Sequence, residues 1–371
     1  MSAPPATRAA GGPAAGGEPA GPASSATAAG GPAGGPGAPP RRGPSVRQTV
    51  VVAVAAVALV AAAIGSMTLG AVHVPLSAVL DAVTGQAEDG PLKQIVLDLR
   101  LPRMVEALVV GAALGTAGAL LQGALANPLA SPDVMGVTGG ASFGAMLILL
   151  LLPDQIALLP VGALAFGLLA AALVFAIAAT GAGAGGVGRL VLAGIAMTAA
   201  FQAGTTSLMA LFPERVQSAI FWLAGGLTTS GWSNLRVVWP YLAVGFVLAL
   251  TLTRPLDRLA LGDDVAASLG SRPRAIRLTA AVAAAMLAAC AAAIAGLVTF
   301  LGLFIPHVVR MAAGTSSHTY VVPTSALAGA ALMMVGDTLA RTVAAPIELP
   351  VGPLMVLLGV PLFLWLLRRA T

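Results

Sequence analysis

Charge is scarce in this chain. Only 9% of its 371 residues are Asp, Glu, Lys or Arg, and lysine occurs once, at Lys93. Asp89-Gly90-Pro91-Leu92 precedes that lysine, so a Gly-x-x-x-x-Gly-Lys-Ser/Thr phosphate loop is excluded, and with it ATP hydrolysis by that route. Cysteine also occurs once. Cys290 sits in an alanine-rich apolar run, which excludes an intrachain disulfide and a thiolate metal site and leaves a packing role. His73 and His307 each lack a second His, Cys or carboxylate at ligand spacing, so both read as boundary histidines and no metal or cofactor is expected. Neither a Ser-His-Asp arrangement nor His-Glu-x-x-His is present, and the chain reads as no enzyme.

What is abundant is apolar surface. With 58% hydrophobic residues and a mean hydropathy of +0.94, the chain carries more than a soluble core of this length can bury. The apolar runs approach 20 residues, which suits membrane helices and not barrel strands that alternate over about 10. The net charge of +5 does not point to nucleic acid, because the basic residues flank the apolar runs and form no single patch.

Residues 1–45 are almost all Ala, Gly, Pro and Ser and read as a disordered arm; residues 46–371 read as one transmembrane domain. A cleaved signal peptide is not expected, since the run after Arg41, Arg42 and Arg47 continues to about Leu69 without a small-residue cleavage site. Spans are expected over 46–69, 104–125, 134–152, 156–180, 189–212, 237–253, 275–300, 301–313, 321–343 and 351–367, an all-α integral membrane protein of about ten helices. An even number puts both termini on one side. Arg41, Arg42, Arg47, Arg189, Arg254, Arg258, Arg272, Arg274, Arg277, Arg310, Arg368 and Arg369 make that side cytoplasmic, and Lys93, Arg100, Arg103, Arg215, Arg236 and Arg341 fall outside. Between the first two spans, Val74, Leu76, Val79, Leu80 and Val83 are expected to line one side of an amphipathic surface helix over 73–86.

Four features stand out within this frame. Gly111, Gly115, Gly118 and Gln122 recur at i, i+4, i+7 and i+11, a small-residue stripe on which another backbone can approach closely. The turn at Asn127-Pro128 and the Gly/Pro breaks at 296–306 and 346–353 interrupt apolar sequence, which the bilayer tolerates only beside protein or a water-filled cavity. In the longest polar stretch of the second half, Leu261-Gly262-Asp263-Asp264-Val265-Ala266-Ala267-Ser268-Leu269-Gly270 reads as a two-turn helix on the cytoplasmic face. Its ridge of Leu261, Val265 and Leu269 suits a partner's groove, and an ordinary loop with a helical turn is the other reading. Asp337 and Arg341 have the spacing of a helical ion pair, either structural or part of a transport site, and Glu106 is placed to hold Arg103.

Taken together, these residues resemble the FecCD-type permeases of ABC importers for iron-siderophores, haem and vitamin B12. The resemblance runs through Arg100-Leu101-Pro102-Arg103, Gly111 to Gln122, Asn127-Pro128-Leu129-Ala130, Gly136, Leu192-Ala193-Gly194, Leu261 to Gly270, Gly302 to Pro306-His307 and Arg310, Asp337 to Arg341, and Glu348-Leu349-Pro350-Val351-Gly352 with Gly359 and Pro361. It implies a type II importer permease fold in the cell membrane, paired with a like or identical permease subunit around a pathway. Two cytoplasmic ATPase subunits and an extracytoplasmic solute-binding protein are the other implied partners. Acidic residues of that binding protein are expected to meet Arg100, Arg103 and Arg341, and the ATPase coupling helix falls on Leu261 to Gly270. Iron(III)-siderophore is the expected cargo, with haem or vitamin B12 as the alternative. Gly181 to Gly188 lack the small hydroxyl residues that relatives can carry near a gate, so no gate residue is carried over. An ion-coupled secondary transporter is the competing class, but only Asp337 and Glu106 would serve it.

Overall fold

A computed structural model of the chain describes residues 45–70, 72–180, 187–227 and 231–370. The arm ahead of Ser45 and most of the 181–188 stretch lie outside the described residues.

In chain order the helices are α1 (Val46–Thr68), α2 (Leu76–Thr84), α3 (Pro91–Gln94) with a π-helical turn at Ile95–Arg100, α4 (Leu101–Ala124), α5 (Val137–Leu151), α6 (Leu159–Ala179) and α7 (Val187–Leu211). There follow α8 (Val216–Leu223), α9 (Trp232–Leu259), α10 (Asp263–Ser268), α11 (Pro273–Ala295), α12 (Leu301–Ala313), α13 (His318–Thr342) and α14 (Val351–Ala370). No strand occurs among the described residues. Seven of the helical stretches are long and apolar enough to cross a membrane, and α5, α12 and the start of α14 are shorter apolar helices. All ten expected runs are therefore helices. The run expected to end at 300 stops at Ala295, and the one expected over 237–253 extends from Trp232 to Leu259.

The fold is built around α4. Its apolar window is 83% buried, against 17% for α1 and for α7, so α4 is enclosed by protein while α1 stands at the edge. Enclosure demands close neighbours, and the glycine stripe supplies them. A Cβ on Gly111 would lie 2.2 Å from the carbonyl oxygen of Gly329, one on Gly115 2.3 Å from that of Ser325, and one on Gly118 1.7 Å from that of Gly302. Only hydrogen fits there. The α4–α13 contact is antiparallel and keeps its register: each four-residue step along α4 from Arg103 through Gly111 to Gly115 meets a matching step back along α13 from Asp337 through Gly329 to Ser325. On the other side of α4, the alanine-rich α11 buries fourteen residues between 280 and 295, including Cys290 at 0% exposure.

The interrupted stretches shelter one another. Gly225, Gly296 and Gly352 bring the ends of α8 and α11 and the start of α14 together, where Gly226 N–H donates to Ala295 O (2.8 Å) and Gly352 N–H to Gly225 O (3.2 Å). A Cβ on Gly225 or Gly296 would come within 2.2 Å of Leu297 O or 2.4 Å of Trp222 O. Backbone groups freed by two of the breaks are thus satisfied by protein, as the bilayer requires.

Helices are also fastened end to end by charged side chains from neighbours. Arg47 on α1 donates to Ala312 O and Met311 O at the C-terminus of α12 (both 2.7 Å), and Tyr320 on α13 donates to Gln48 O (2.9 Å). Asp257 on α9 caps α13, accepting from Ser317 Oγ, His318 N–H, His318 Nδ1 and Thr319 Oγ1. Arg47 and Asp257 each set a charge against a helix terminus of the opposite partial charge, while Tyr320 adds a neutral tie.

The amphipathic helix near the first span is shorter and differently turned than expected. In α2 it is Val79 and Ala82 that pack inward, with Val74 ahead of the helix, against Met67 and Val96, whereas Leu76, Leu80 and Val83 are exposed. At 100° per residue Leu76, Val79, Leu80 and Val83 share one arc of about 100°, but the buried side is centred between Val79 and Ala82, at one edge of that arc, which turns Leu76, Leu80 and Val83 outward.

Candidate functional site

Two polar ends and one bare face carry the chemistry. At the first end, Arg100, Arg103 and Arg341 do come together, but as buried groups with internal partners; their exposures are 6%, 9% and 7%. Arg103 donates to Asp337 through Nε (3.1 Å) and Nη2 (2.9 Å), and its Nη1 reaches Glu348 at 2.9 Å. Asp337, wholly buried, also faces Arg341 Nε at 3.2 Å. Arg341 Nη2 donates to Ser66 O (3.2 Å), while Arg100 donates to Met67 O and Val72 O. Two guanidiniums therefore cover the last carbonyls of α1, where the helix carries its negative partial charge.

The arrangement corrects one expectation. Glu106 does not hold Arg103: its Oε1 accepts from Gly231 N–H at 3.1 Å, ahead of α9. The reason is direction, since Arg103 lies on the α13 side of α4 and is already claimed by Asp337, whereas Glu106 turns toward α9. Sequence distance hid two of the cluster's members. Glu348 is 245 residues from Arg103 and Ser66 is 275 from Arg341, and only the Asp337–Arg341 spacing was a legible signal.

At the other end, Gln122 closes the stripe. Its amide donates to Leu303 O (3.0 Å) and its carbonyl accepts from Arg310, tying α4 to α12. Asn127 and Pro128 sit in the exposed turn beyond, where Asn127 Oδ1 accepts from Leu129 N–H at 2.9 Å. The stretch Leu261 to Gly270 forms the expected two-turn helix, α10, spanning Asp263–Ser268, with Gly262 at φ 102° and Gly270 at φ 76° in the left-handed region that glycine tolerates. Leu261, Val265 and Leu269 are exposed at 61%, 46% and 55%, while Ala266 is buried, so the ridge faces outward. Asp264, Ala267 and Ser268 complete the exposed surface. Arg277 on α11 grips Asp263 with two 2.7 Å bonds and reaches Ala124 O at 3.1 Å, linking α10 to the end of α4. The hydrogen bonds from Arg277 hold the Asp263 carboxyl below its ordinary value.

The bare face belongs to α7. Both α1 and α7 are 17% buried, yet the hydropathy of α1 is 2.6 and that of α7 is 1.3. What α1 exposes is valine and isoleucine: Val50, Val54, Val57, Val60 and Ile64. The exposed residues of α7 include Ala199, Gln202, Ala203, Thr206 and Ser207. Thr206 and Ser207 bond back to Gln202 O (3.0 Å) and Ala203 O (2.9 Å), and Leu192, Ile195 and Leu211 are exposed on the same helix, so it is the primary amide of Gln202, set among small side chains, that gains nothing from lipid and asks for protein or water. Sequence reasoning missed it because hydropathy alone marks α7 as a span.

A ten-helix core around an enclosed glycine-striped helix, short helices at sheltered breaks and an outward two-turn helix agree with what comparison returns: the model of the FecCD transport family matches residues 57–369. The chain belongs to the FecCD transport family. Among curated relatives it is 36% identical over 304 residues to the Fe(3+)-citrate import permease YfmE of Bacillus subtilis, covering 82% of this chain and 90% of that protein. It is 38% identical over 305 residues to the Fe(3+) dicitrate permease FecD of Escherichia coli, covering 82% and 93%. It is 36% identical over 312 residues to the hemin permease HmuU of Yersinia pestis, covering 82% and 91%. A solved structure described as an inward-facing conformation of a metal-chelate type ABC transporter matches with a TM-score of 0.77 at 30% identity, over 86% of this chain and 99% of that one. The protein is thus a multi-pass membrane permease of the FecCD family, with the fold the resemblance implied.

Proposed function

We propose that this FecCD permease forms, with a second like subunit, the translocation pathway of an ATP-driven importer whose cargo is an iron(III)-siderophore or related ferric chelate. The observation that carries the reading is the α7 surface. A span of 24 residues that exposes the Gln202 amide beside small side chains, with Thr206 and Ser207 bonded back to Gln202 O (3.0 Å) and Ala203 O (2.9 Å), suits a wet passage between subunits better than lipid. Its wall is neutral, which fits a bulky chelate handed over by a separate binding protein better than a tightly held ion.

The remaining features fall into place around that pathway. The Arg47, Asp257 and α10 end is cytoplasmic, with both termini inside, and the ridge of Leu261, Val265 and Leu269 seats in a groove of an ATPase subunit. The Arg103 end faces outward, where an extracytoplasmic binding protein docks over the cluster of Arg100, Arg103 and Arg341. The names of the relatives support a ferric chelate, and hemin among them keeps haem as the second reading. The test is uptake of radiolabelled ferric citrate, ferric hydroxamate and hemin into vesicles holding the complete importer with internal ATP. ATP-dependent accumulation of one of the ferric chelates is expected; uptake driven by a proton or sodium gradient without ATP would refute the reading.

A further inference from the structure

The outer cluster is built with more positive than negative charge. Arg100, Arg103 and Arg341 are opposed by Asp337 and Glu348, and Arg100 has carbonyl oxygens only. Arg100 and Arg341 lie close enough that a Cβ on Gly70 would sit 3.1 Å from Arg100 Nη2 and 3.8 Å from Arg341 Nη1. Like charges at such range, more than nine-tenths buried, leave a positive potential directed at whatever approaches from that side.

The two carboxylates hold unequal positions. Asp337 has no exposure and rides on the same helix as Arg341, so it cannot leave without unpacking α13. Glu348 sits in the connection between α13 and α14, its side chain 41% exposed, and covers the outward edge of Arg103 through Oε1 and Oε2 at 3.2 and 2.9 Å. The side chain of Arg103 is 11% exposed with Glu348 in place. Beside Glu348, Ile347 is 70% exposed, and a little earlier in the connection Val343 is 67% exposed.

We infer that Glu348 is a displaceable occupant of the Arg103 edge, holding the place that a carboxylate from an acidic partner surface takes when that partner docks. The inference rests on the docking surface proposed above and adds its occupant and its regulation. Asp337 takes Nε and Nη2 of Arg103, and both Glu348 oxygens share Nη1, the nitrogen left to an approaching partner, so an incoming acid and Glu348 exclude each other there. Glu348 keeps Arg103 neutralised in the undocked permease and sets how acidic a partner must be. Released from Arg103, it removes one of the ties on the 343–350 connection, whose Leu349 N–H still donates to Ala340 O (3.0 Å), and that connection leads directly into α14, beside the Gly225 and Gly352 contact.

The experiment uses the full chain in nanodiscs of zwitterionic lipid and a fluorescent peptide bearing three glutamates separated by glycines, with its glutamine counterpart as control. Glu348→Gln and Glu348→Ala should each bind the glutamate peptide about tenfold more tightly than the wild-type chain, with a steeper loss of affinity as salt rises. The glutamine peptide should bind none of them. Equal or weaker binding by both variants overturns the inference, as does a gain that is unchanged between low and high salt. Binding of the glutamate peptide to no chain at all overturns it together with the docking surface. ATP-driven uptake by the complete importer is scored on its own, so a permease that imports normally while the peptide result is negative loses this inference and keeps its proposed function.

Discussion

Replacing Gly111 by alanine inserts one methyl group where α4 and α13 touch, and its cost can be worked from the geometry. The new Cβ would stand 2.2 Å from Gly329 O and 2.7 Å from the Cβ of Met333, and both neighbours are parts of the facing helix with no freedom to rotate away. Ordinary contact needs about 3.4 Å, so the helices must part by roughly 1 Å, which forfeits a quarter to a half of the dispersion attraction along the opened seam. Overpacking of this kind costs about 1–3 kcal/mol, and here the upper end applies, offset by up to ~1 kcal/mol from the better helix propensity of alanine. With an unfolding entropy near 2.1 cal/mol/K per residue, a helical body of this length shifts by about 1.5 °C per kcal/mol, so Gly111→Ala should lower the Tm in detergent by about 3–4 °C. Gly65→Ala is the matched control, because on α1 the added Cβ meets only Leu69 Cδ1 at 3.9 Å. There the propensity term stands alone and Tm should rise by about 1 °C. Tryptophan fluorescence melting curves of the three proteins decide the matter. A Gly111→Ala variant as stable as the Gly65→Ala variant would mean that the glycine seam does not hold the centre of the fold.

Asp337→Asn leaves Arg103 and Arg341 buried with Glu348 as their remaining carboxylate and should cost about 3–5 kcal/mol, whereas Glu348→Gln, at a half-exposed rim, should cost under about 1 kcal/mol; comparable melting of the two would contradict the assigned burial. Leu261→Asp together with Leu269→Asp should abolish association with the ATPase subunit and leave Tm within about 1 °C, because both side chains are more than half exposed; co-purification measures the first and melting the second. Cysteine placed at Ala267 in a Cys290→Ala background should resist a membrane-impermeant thiol reagent in intact cells and react once the membrane is opened. Labelling in intact cells would reverse the proposed orientation.

The sequence by itself determined the solvent, the element type and most of the spans, because apolar runs near 20 residues admit one regular structure in a bilayer and charge scarcity admits few alternatives. It also determined the seam on α4, since four small or polar positions on one helical stripe are written within twelve residues, whereas for α10 the flanking glycines and leucine ridge left a helix and an ordinary loop both open until the structure showed the helix. Tertiary structure alone decided what each of these meets. That Gly111 faces Gly329, that Glu106 turns to Gly231 and leaves Arg103 to Asp337 and Glu348, and that Asp257 caps α13 are contacts between residues 61 to 245 positions apart, for which a single sequence carries no distance information. The fate of an exposed span was equally out of reach. Valine on α1 and glutamine on α7 both sit in helices that hydropathy marks as crossing, and the faces they occupy become known only when the other helices have taken the core.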